Sequence, residues 1–391
     1  MDNCLQKLTN NTSLIASKQT WIEELAIEQL IKTSQLSDML YVAGMPDLHP
    51  GRGYPIGAAF FTSNKIYPAL VGNDIGCGMA FWQTSAKVNK VNLQKMAKKF
   101  EQIEQPLDNS WLSIINKRKA EKNITNSHFD RSFGTIGGGN HFAEFQAINE
   151  VYNQKALDEL GLNKKQLQLL VHSGSRGLGQ SILLEHVSKH NHNGLKTDEE
   201  NNNYKDYMNK HNEAVRWAEL NRELITKRFL DVINANGECV LDINHNLVCA
   251  KTINGIDGWL HRKGATPSDK GYVVIPGSRG DYSYLVKPIK LNIDNHQIDS
   301  LYSLAHGAGR KWKRGECHGR LGHKYKREDL YHTKFGSLVI CGNKELLYDE
   351  APQAYKNCAT VVDDMVNAGL IEVIARLQPV LTFKTNGDCN S

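Results

Sequence analysis

The stretch GAAFFTSNKIYPALVGNDIGCGMAFWQ, residues 57–83, decides the character of the fold. Its segments 57–62, 66–71 and 79–83 are apolar, aromatic or β-branched, a composition that predicts short buried strands. They surround the glycine-rich turn GNDIGCG, where backbone can approach a ligand closely. We therefore expect a β-sheet with a glycine-rich turn at its edge that could bind a ligand.

Outward from this stretch, the chain alternates helical and strand-like patterns. Apolar residues at helical spacing predict helices at 20–35, 92–105, 204–233 and 360–368. Further strands are predicted at CVLDIN (239–244), YVVIP (272–276), SLVIC (337–341) and 371–384. Residues 166–179 indicate a strand, a loop and a helix start, 134–142 a loop with strand-like flanks, and 199–206 a surface loop. With no repeat and no clear linker, we expect one compact α+β domain over residues 1–391, with a mixed sheet core and surrounding helices.

Composition narrows the class of protein. The 391 residues are 40% hydrophobic and carry a net charge of +5, which suits a globular protein with a possible polyanionic partner. The eight cysteines form no CxxC pair, so reduced thiols are expected. The N-terminus lacks a signal-peptide pattern and no apolar run reaches membrane-spanning length. A soluble cytoplasmic protein, without a membrane partner, is the expectation.

The positive charge is concentrated in one segment. Residues 310–327, RKWKRGECHGRLGHKYKR, hold eight Lys or Arg against one acid, with Trp312 and Tyr325 interleaved. Such a run is usually a solvated face. It also fits a nucleic-acid track, in which cations neutralise phosphates and aromatic rings stack on bases.

Five side chains could ligate metal. Asp74 and Cys77 share the glycine-rich turn, while His141, His172 and His245 each stand where a predicted strand runs into a loop. Each alone is more often structural, and a cysteine is more often a small buried hydrophobe. Together they exceed one tetrahedral site and suit two metals if Cys77 bridges. Imidazole and thiolate tolerate Zn, Mn, Co or Fe, and ligand type alone favours Zn.

Three further loops could hold phosphate. They are HSGSRGLG (172–179), PGSRG (276–280) with Ser283, and HGAGR (306–310), which places His306 beside two glycines. Glycine lets backbone N–H groups approach an anion. None matches a Walker or Rossmann fingerprint, so each could also be a plain turn.

These motifs together resemble the RtcB family of RNA ligases, also called tRNA-splicing ligases. The matching segments cover residues 45 to 384 in the family's order. They are MPDLHPGRGYPIG, VGNDIGCG, GTIGGGNHFAE, VHSGSRGLG, DINHNLV, HRKGAT, IPGSRGDYSY, SLAHGAGR, EAPQAYK and VIARLQPVLTFK. The resemblance implies a central cleft for metal and nucleotide.

It also implies a centre of two manganese ions. Asp74, Cys77 and His141 would hold one ion, and Cys77, His172 and His245 the other. The preference for Mn²⁺ over Zn²⁺ rests on the resemblance alone.

The implied chemistry is carried by His306. Its imidazole would attack the α-phosphorus of GTP and release pyrophosphate, with Asp47 orienting the other ring nitrogen. GMP would pass to an RNA 3′-phosphate, and a 5′-hydroxyl would then displace it. Ends with 2′,3′-cyclic phosphate would first be hydrolysed.

The remaining site residues also come from the resemblance, and each could instead be structural. The implied nucleotide contacts are Asn140, Glu144, Ser278, Ser283, Ala308, Gly309, Tyr355 and Lys384. The implied RNA contacts are Arg176, Arg310 and Arg314, the last two within the basic stretch.

Several positions depart from the family's pattern. They are Asn73, Gly76, Arg279, Asp281, Tyr282, Lys313 and the terminal FKTNGDCNS. They suggest a divergent bacterial paralogue of the branch associated with a peptide-release-factor homologue, acting on broken RNA ends such as damaged ribosomal RNA. An archease-like activator is the other partner to expect. Two rival functions remain: a dinuclear metallohydrolase that acts on RNA ends without ligation, and a catalytically inactive RNA-binding repair subunit.

Overall fold

Two β-sheets form the framework of the chain. The computed structural model describes residues 4–100, 103, 105–198, 202–289 and 299–385. The first sheet has six strands in the order β1-β2-β3-β4-β12-β11. The second has eight, in the order β10-β6-β8-β7-β18-β15-β14, with β17 paired in parallel to β18. Two short ladders, β13 with β16 and β5 with β9, complete the pairing of the described residues.

The strand bounds follow in sheet order. The six-stranded sheet comprises β1 Leu5–Thr9, β2 Thr12–Ile15, β3 Met39–His49, β4 Ile56–Thr62, β12 Ile256–Lys263 and β11 Asn246–Ile253. The eight-stranded sheet comprises β10 Gly237–Asn244, β6 Gly78–Lys87, β8 Gln166–Ser173, β7 Phe142–Val151, β18 Ile371–Thr385, β15 Ser283–Pro288, β14 Val273–Ile275 and β17 Leu338–Cys341. The short ladders are β5 Lys65–Ile66, β9 Leu195–Lys196, β13 Ala265–Pro267 and β16 Ser303–Ala305.

Helices surround these sheets. They are α1 Glu24–Thr33, α2 Leu93–Phe100, α3 Leu112–Glu121, α4 Gln154–Glu159, α5 Gly177–His190, α6 Asn202–Ile233, α7 Arg314–Leu321, α8 Lys344–Asp349 and α9 Cys358–Asn367. The mixed α+β class expected from the sequence is confirmed, whereas the extent of a single domain over 1–391 stays a prediction. Within the described ranges, no helix combines the length and the apolar character needed to span a membrane.

The longest helix covers one face of the eight-stranded sheet. The apolar residues of α6 recur at helical spacing, and Trp217, Leu224 and Phe229 are almost completely buried. The ring of Phe229 stacks on Phe100 of α2 with centroids 4.7 Å apart, and both rings reach Phe145 of β7. Aromatic packing of this kind fixes the sheet against its covering helices. The sheet therefore forms a rigid platform for the loops at its edge.

Most predicted elements are confirmed, with two corrections. The segment 66–71 is not a strand, because β5 stops at Ile66 and a 3₁₀ turn follows at Pro68–Leu70. Pro68 lacks a backbone N–H and suits the first position of such a turn. The predicted loop 199–206 is wrong from Asn202 onward, where α6 begins. Residues 199–201, part of the helix predicted at 92–105 (101, 102 and 104), and 386–391 of the terminal departure lie outside the described residues.

Candidate active site

The five candidate metal donors meet where four strands of the eight-stranded sheet end together. Cys77 directly precedes β6 and His141 directly precedes β7. His172 lies in β8, opposite both Met79 and Phe142 in the ladder. His245 joins β10 to β11, so it sits where the chain passes from one sheet to the other. Strand pairing thus assembles residues that are far apart in sequence.

The donor atoms form one continuous chain of contacts. Cys77 Sγ lies 3.3 Å from His141 Nε2 and 3.2 Å from His172 Nε2. His141 Nε2 is 2.8 Å from Asp74 Oδ2, and His172 Nε2 is 3.3 Å from His245 Nε2. Cys77, His141 and His172 are buried, and their ligand atoms all lie within 4.8 Å of one another. Cys77 therefore occupies the centre of the chain of donors, where a bridging ligand would stand.

Two histidines of this cluster, His172 and His245, are held in the neutral form, which favours metal binding. His172 Nδ1 lies 3.1 Å from the Asn140 carbonyl oxygen, which can only accept, so Nδ1 carries the proton and Nε2 presents a lone pair. Burial, reinforced by the neighbouring His141 and His245, holds the pKa of His172 well below its usual range. Burial and then His306 do the same to the pKa of His245. Neutral imidazoles facing a thiol and a carboxylate are a donor set that fits a metal ion.

A buried arginine braces the turn that carries Asp74 and Cys77. Arg222 of α6 is completely buried, and its Nη1 donates to the carbonyl oxygens of Gly76 at 2.7 Å and Ser173 at 2.9 Å. Its other nitrogens bind Asp242 and Asn244 of β10. One guanidinium therefore ties together the three segments that bear Cys77, His172 and His245. Sequence reasoning missed Arg222, since it looked like one more polar position on an amphipathic helix.

His306 lies beside the metal cluster and is backed by a carboxylate. It follows β16, and its ring centroid is 4.9 Å from that of His245. Its Nδ1 is 2.6 Å from Oδ2 of Asp47, which is completely buried in β3. The backbone N–H of His306 donates to the same oxygen at 3.2 Å, so the Asp47 carboxylate is held directly against the Nδ1 edge of the ring. The pair leaves Nε2 of His306 as the nitrogen available for chemistry.

Gly309, three residues after His306, is required by the close fit around Asp47. Gly309 has a φ of 73°, and a Cβ there would lie 2.4 Å from the Asp47 carbonyl oxygen. No other residue could adopt this backbone and leave Asp47 in place. Gly309 therefore shapes the HGAGR loop against β3.

A second cluster is centred on one carboxylate, Glu350, which is 3% exposed. Its oxygens accept from Lys384 Nζ at 3.2 Å, Arg310 Nη1 at 3.0 Å and the hydroxyl of Tyr355. Arg314 Nε approaches at 3.5 Å. Although burial raises it, the pKa of Glu350 is held down at about 2 by Lys384 and the two arginines. Sequence reasoning missed Glu350, although it opens the EAPQAYK segment.

Nearby, Glu144 and Ser283 share one hydrogen-bond partner, the side chain of Gln146. Gln146 Nε2 donates to Glu144 Oε1 at 2.7 Å and to Ser283 Oγ at 2.9 Å, and Thr382 donates to Glu144 Oε2 at 2.5 Å. Burial raises the pKa of Glu144 to about 7, against the opposing effect of these hydrogen bonds and of Lys384. A carboxyl group poised near neutrality in a buried site is typical of functional positions.

The remaining nucleotide candidates line the loops between the two clusters. Ala308 donates its backbone N–H to the Pro276 carbonyl oxygen at 3.1 Å, which joins the HGAGR loop to the loop bearing Ser278. Lys356, next to Tyr355, donates its backbone N–H to the Gly309 carbonyl oxygen at 3.0 Å. The HGAGR loop is thus pinned to both neighbouring segments. These two hydrogen bonds bring the loop of Ala308 and Gly309 next to the segments that bear Ser278 and Tyr355, and the nucleotide role of all these residues stays a prediction.

The three RNA candidates lie in different settings. Arg176 packs on Gly137, where a Cβ would be only 1.9 Å from Nη1. Arg310 is turned inward, since its nitrogens reach Glu350, Tyr355 and the carbonyl oxygens of Trp312 and Asp349. The side chain of Arg314 is 48% exposed. Of the two candidates from the basic stretch, Arg314 is therefore the accessible one, and the RNA role of all three stays a prediction.

The basic stretch 310–327 is mostly exposed, as a nucleic-acid track requires. Its anchor is the apolar cluster of α7 and α8, in which Cys317, Leu321 and Leu347 are buried. Trp312 already carries two cations on its ring, Lys311 at 5.7 Å and Arg320 at 5.1 Å. These two cations would compete with a base for stacking on Trp312.

Comparisons with known proteins agree on one family. The sequence model described as "tRNA-splicing ligase RtcB" matches residues 29–114 and 101–385. The chain is 50% identical, over 99% of both chains, to "RNA-splicing ligase RtcB2" of Escherichia coli. It is 26% identical to "tRNA-splicing ligase RtcB" of Nanoarchaeum equitans, over 98% of this chain and 94% of that one. It is also 26% identical to "RNA-splicing ligase RtcB" of Mycobacterium bovis, over 86% and 95%.

Proposed function

This chain belongs to the RtcB family of RNA ligases, and on that premise we propose that it is a GTP- and Mn²⁺-dependent ligase. It would join RNA ends bearing 3′-phosphate or 2′,3′-cyclic phosphate to 5′-hydroxyl ends. The observation that carries this proposal is the contact between buried Asp47 and His306 Nδ1 beside the metal cluster. A hydrolase that acts through metal alone has no need of this pair.

His306 is the proposed nucleophile. Asp47 holds the proton on Nδ1, so the lone pair of Nε2 is free to attack. Attack on the α-phosphorus of GTP forms an N–P bond and breaks the P–O bond to pyrophosphate. As the imidazole becomes cationic, the buried carboxylate of Asp47 stabilises the charge.

The five donors Asp74, Cys77, His141, His172 and His245 would hold the metal ions. Mn²⁺ at this position supplies Lewis-acid stabilisation of charge on the reacting phosphates. The mixed nitrogen, sulfur and oxygen set accepts Mn²⁺ as well as Zn²⁺. Reconstitution of metal-free protein with each ion in turn, scored by GTP-dependent labelling, tests the assignment to manganese.

The nucleotide would be held between the two clusters. Glu144 accepts from the N–H groups of guanine, with Lys384 near the guanine oxygen and Tyr355 covering the base. Asn140, Ser278, Ser283, Ala308 and Gly309 line the path from the base to His306. The cations around Glu350 exceed its single charge, which favours the lone pairs of the guanine oxygen that is proposed to lie near Lys384.

Two further transfers complete the proposed reaction. An oxygen of the RNA 3′-phosphate attacks the GMP phosphorus, so the N–P bond breaks and His306 is regenerated. The 5′-hydroxyl of the second RNA end then attacks the 3′-phosphorus and displaces GMP, which leaves a phosphodiester. Arg176, Arg310, Arg314 and the basic stretch are the proposed RNA contacts, while a release-factor homologue or archease-like activator stays a prediction.

A joining assay separates this proposal from its rivals. RNA with a 2′,3′-cyclic phosphate end and RNA with a 5′-hydroxyl end are incubated with protein, Mn²⁺ and GTP. We expect joined product from the wild type and none from His306→Ala, while Asp47→Asn joins about a hundredfold more slowly or worse. Opening of the cyclic phosphate without joining by the wild type would identify the metallohydrolase instead. Inactivity in both steps, with RNA still bound, would identify the binding subunit.

The matched control is Asp364→Asn. Asp364 is also a buried aspartate, but its carboxylate accepts from Thr20 and not from a histidine. We expect this variant to lose some stability and to join RNA at the wild-type rate. Equal losses in Asp47→Asn and Asp364→Asn would assign Asp47 to folding rather than catalysis.

A further inference from the structure

A buried lysine just before α9 holds the backbone on both sides of Asp47. Lys356 is 7% exposed, and its Nζ donates to the carbonyl oxygens of Pro46 at 2.9 Å and Leu48 at 2.8 Å. In extended backbone, residues two apart present their groups on the same side, so one ammonium can reach both carbonyls. Asp47, which contacts His306, is therefore clamped from either side by a single side chain.

The clamped segment is a bulge in β3. Gly44 pairs with Ala58 and His49 with Ile56, so four residues of β3 face one residue of β4. The pairing of β3 with β2 also stops at Gly44. Buried carbonyls that leave a ladder need donors from elsewhere, and Lys356 supplies them. The bulge that carries the carboxylate therefore depends on this lysine for its hydrogen bonds.

The same residue also holds the loop that bears the proposed nucleophile. The backbone N–H of Lys356 donates to the carbonyl oxygen of Gly309 in the HGAGR loop at 3.0 Å. The contact of 2.6 Å between Oδ2 of Asp47 and Nδ1 of His306 joins the two segments that are anchored in this way. Lys356 thus binds both halves of the pair, the strand through its side chain and the loop through its backbone.

The ammonium also suits the charge of Asp47. That carboxylate is completely buried, and among the described residues its Oδ1 has no hydrogen-bond partner. Burial lowers the pKa of Lys356 to about 8, while attraction to Asp47 and then to Asp364 opposes this effect. Lys356 is therefore mostly charged at neutral pH. A buried carboxylate is costly unless a cation or hydrogen bonds offset its charge, and this lysine supplies a cation.

We propose that Lys356 is a positioning residue, which acts through Asp47 to hold the His306 ring in the orientation from which Nε2 attacks. It takes no part in bond making itself. A carboxylate that is fixed before the reaction needs no reorganisation when the imidazole becomes cationic. This inference rests on the proposed role of His306 and adds the residue that keeps its partner in place.

A double-mutant cycle tests whether Lys356 acts through Asp47. Full-length protein is loaded with Mn²⁺, and the rate of GMP adduct formation is measured in a single turnover at several GTP concentrations. The variants are Lys356→Met, Asp47→Asn and the combination of both. Metal content and Tm are recorded for each variant, so that a loss of fold is seen separately from a loss of rate.

The expected result is a loss that depends on Asp47. At saturating GTP, Lys356→Met should slow adduct formation by about thirtyfold, with an apparent GTP affinity within about twofold of the wild type. In the Asp47→Asn background, the same substitution should slow the reaction by less than about twofold. The reason is that an amide cannot stabilise the imidazolium wherever it is held, so the lysine has nothing left to position.

The matched control is Lys119→Met. Lys119 is also a buried lysine, 4% exposed, and its ammonium binds Asn126 and Asp130 instead of the backbone beside Asp47. We expect this variant to lose stability and to form the adduct at the wild-type rate. Equal slowing in Lys119→Met and Lys356→Met would assign both lysines to general stability and overturn the proposal.

Lys356→Gln covers the case in which Lys356→Met does not fold. Glutamine keeps N–H donors for backbone carbonyls and loses the charge, so this variant should unfold at a higher temperature than the Met variant. Its slowing of adduct formation should again disappear in the Asp47→Asn background. If neither variant folds, Lys356 is a residue of the fold and the positioning role is wrong.

The remaining outcomes separate this inference from the proposed function. If the two single losses multiply in the double variant, Lys356 acts independently of Asp47, so the inference is overturned while the ligase proposal stands. Weaker GTP binding with an unchanged maximal rate would assign Lys356 to the nucleotide site through the adjacent Tyr355 and would also overturn it. If the wild type forms no adduct, the proposed function fails and this inference fails with it.

Discussion

The two clusters on either side of His306 are built from opposite chemistry. Around Cys77 the donor atoms carry lone pairs, namely a buried thiol, three buried imidazoles and the partly exposed carboxylate of Asp74, each within 3.3 Å of a neighbour. Around Glu350 two cations, Lys384 and Arg310, and the Tyr355 hydroxyl surround one buried carboxylate. The first arrangement attracts a cation and the second attracts an anion. Metal-bound GTP would fit across the two, with its phosphates at the first cluster and the lone pairs of its base at the second.

They also differ in how they are supported. The Cys77 cluster is mounted on paired strands and braced by Arg222 from α6. Apart from Lys384 of β18, the Glu350 cluster is mounted on loops and short helices around a smaller apolar cluster. Sites on a paired sheet hold their geometry more tightly than sites on loops. We therefore expect metal binding to tolerate little change, whereas nucleotide and RNA preferences can diverge among relatives.

Removal of the central thiol should have the largest effect. Cys77→Ala takes away the one donor that touches two histidines, so metal affinity should fall by more than about a hundredfold. Metal content after dialysis measures the loss. Cys239→Ala, at an exposed cysteine, should retain wild-type metal. Wild-type metal content in Cys77→Ala would show that metal is bound without this thiol and would contradict its role as the central ligand.

Neutralising the central carboxylate should have the next largest effect, this time on stability. Glu350→Gln leaves buried Lys384 and Arg310 without their counter-charge, so the free energy of unfolding should fall by about 3 kcal/mol. Urea unfolding measures it. Because the folded-state pKa of Glu350 is depressed to about 2, its contribution should be lost as the pH falls from about 4.5 towards about 2.

The control for this variant lies in the same region. Glu345→Gln removes an exposed carboxylate that pairs only with His318 among the described residues. We expect it to leave unfolding unchanged, as is usual for surface pairs. Similar losses from the two substitutions would mean that Glu350 is no special centre and that the comparison of the clusters is wrong.

A pH effect should distinguish the proposed guanine site at Glu144 from both clusters. Burial raises the pKa of Glu144 to about 7, while Thr382, Gln146 and Lys384 oppose the rise. If the carboxylate accepts from guanine, GTP affinity should rise by up to tenfold for each unit by which the pH increases towards about 7. Above that pH the affinity should stay constant. Calorimetry in buffers of different ionisation heat would detect the released proton. Glu144→Gln should abolish this pH dependence, and its persistence would assign it elsewhere.

The raised pKa also has a consequence for folding. A carboxyl group whose folded pKa exceeds the usual 4.5 contributes stability that is present below that value and lost as the pH rises through about 7. Glu144 and Glu350 therefore respond to pH in opposite directions. Their two windows do not overlap, so unfolding measured across the full pH range can separate them.

The smallest effect is expected at the surface. Lys324→Ala and Lys326→Ala each remove one exposed cation of the basic stretch, so each should weaken RNA binding a few-fold and lower its salt slope by about one. Lys32→Ala, an exposed lysine of α1, is the control and should change neither. Unchanged salt slopes in the first two variants would reduce the basic stretch to a solvated face.

Sequence reasoning found the residues whose side chains are common metal ligands. Cys77 and the three histidines stand beside predicted strands, and strand pairing brings them into contact, while their role as ligands of two metal ions stays a prediction. The strand predicted at 66–71 failed because apolar content does not reveal that Pro68 begins a 3₁₀ turn. Arg222 and Glu350 could not be found, since their importance arises from contacts made across the fold.

The most direct measurement is the site of covalent labelling. Protein incubated with Mn²⁺ and GTP is digested under mildly alkaline conditions, which preserve a phosphoramidate, and its peptides are analysed by mass spectrometry. We predict one GMP moiety on the peptide that contains His306, absent in His306→Ala and in metal-free protein. GMP on another residue, or labelling that survives in His306→Ala, would contradict the account.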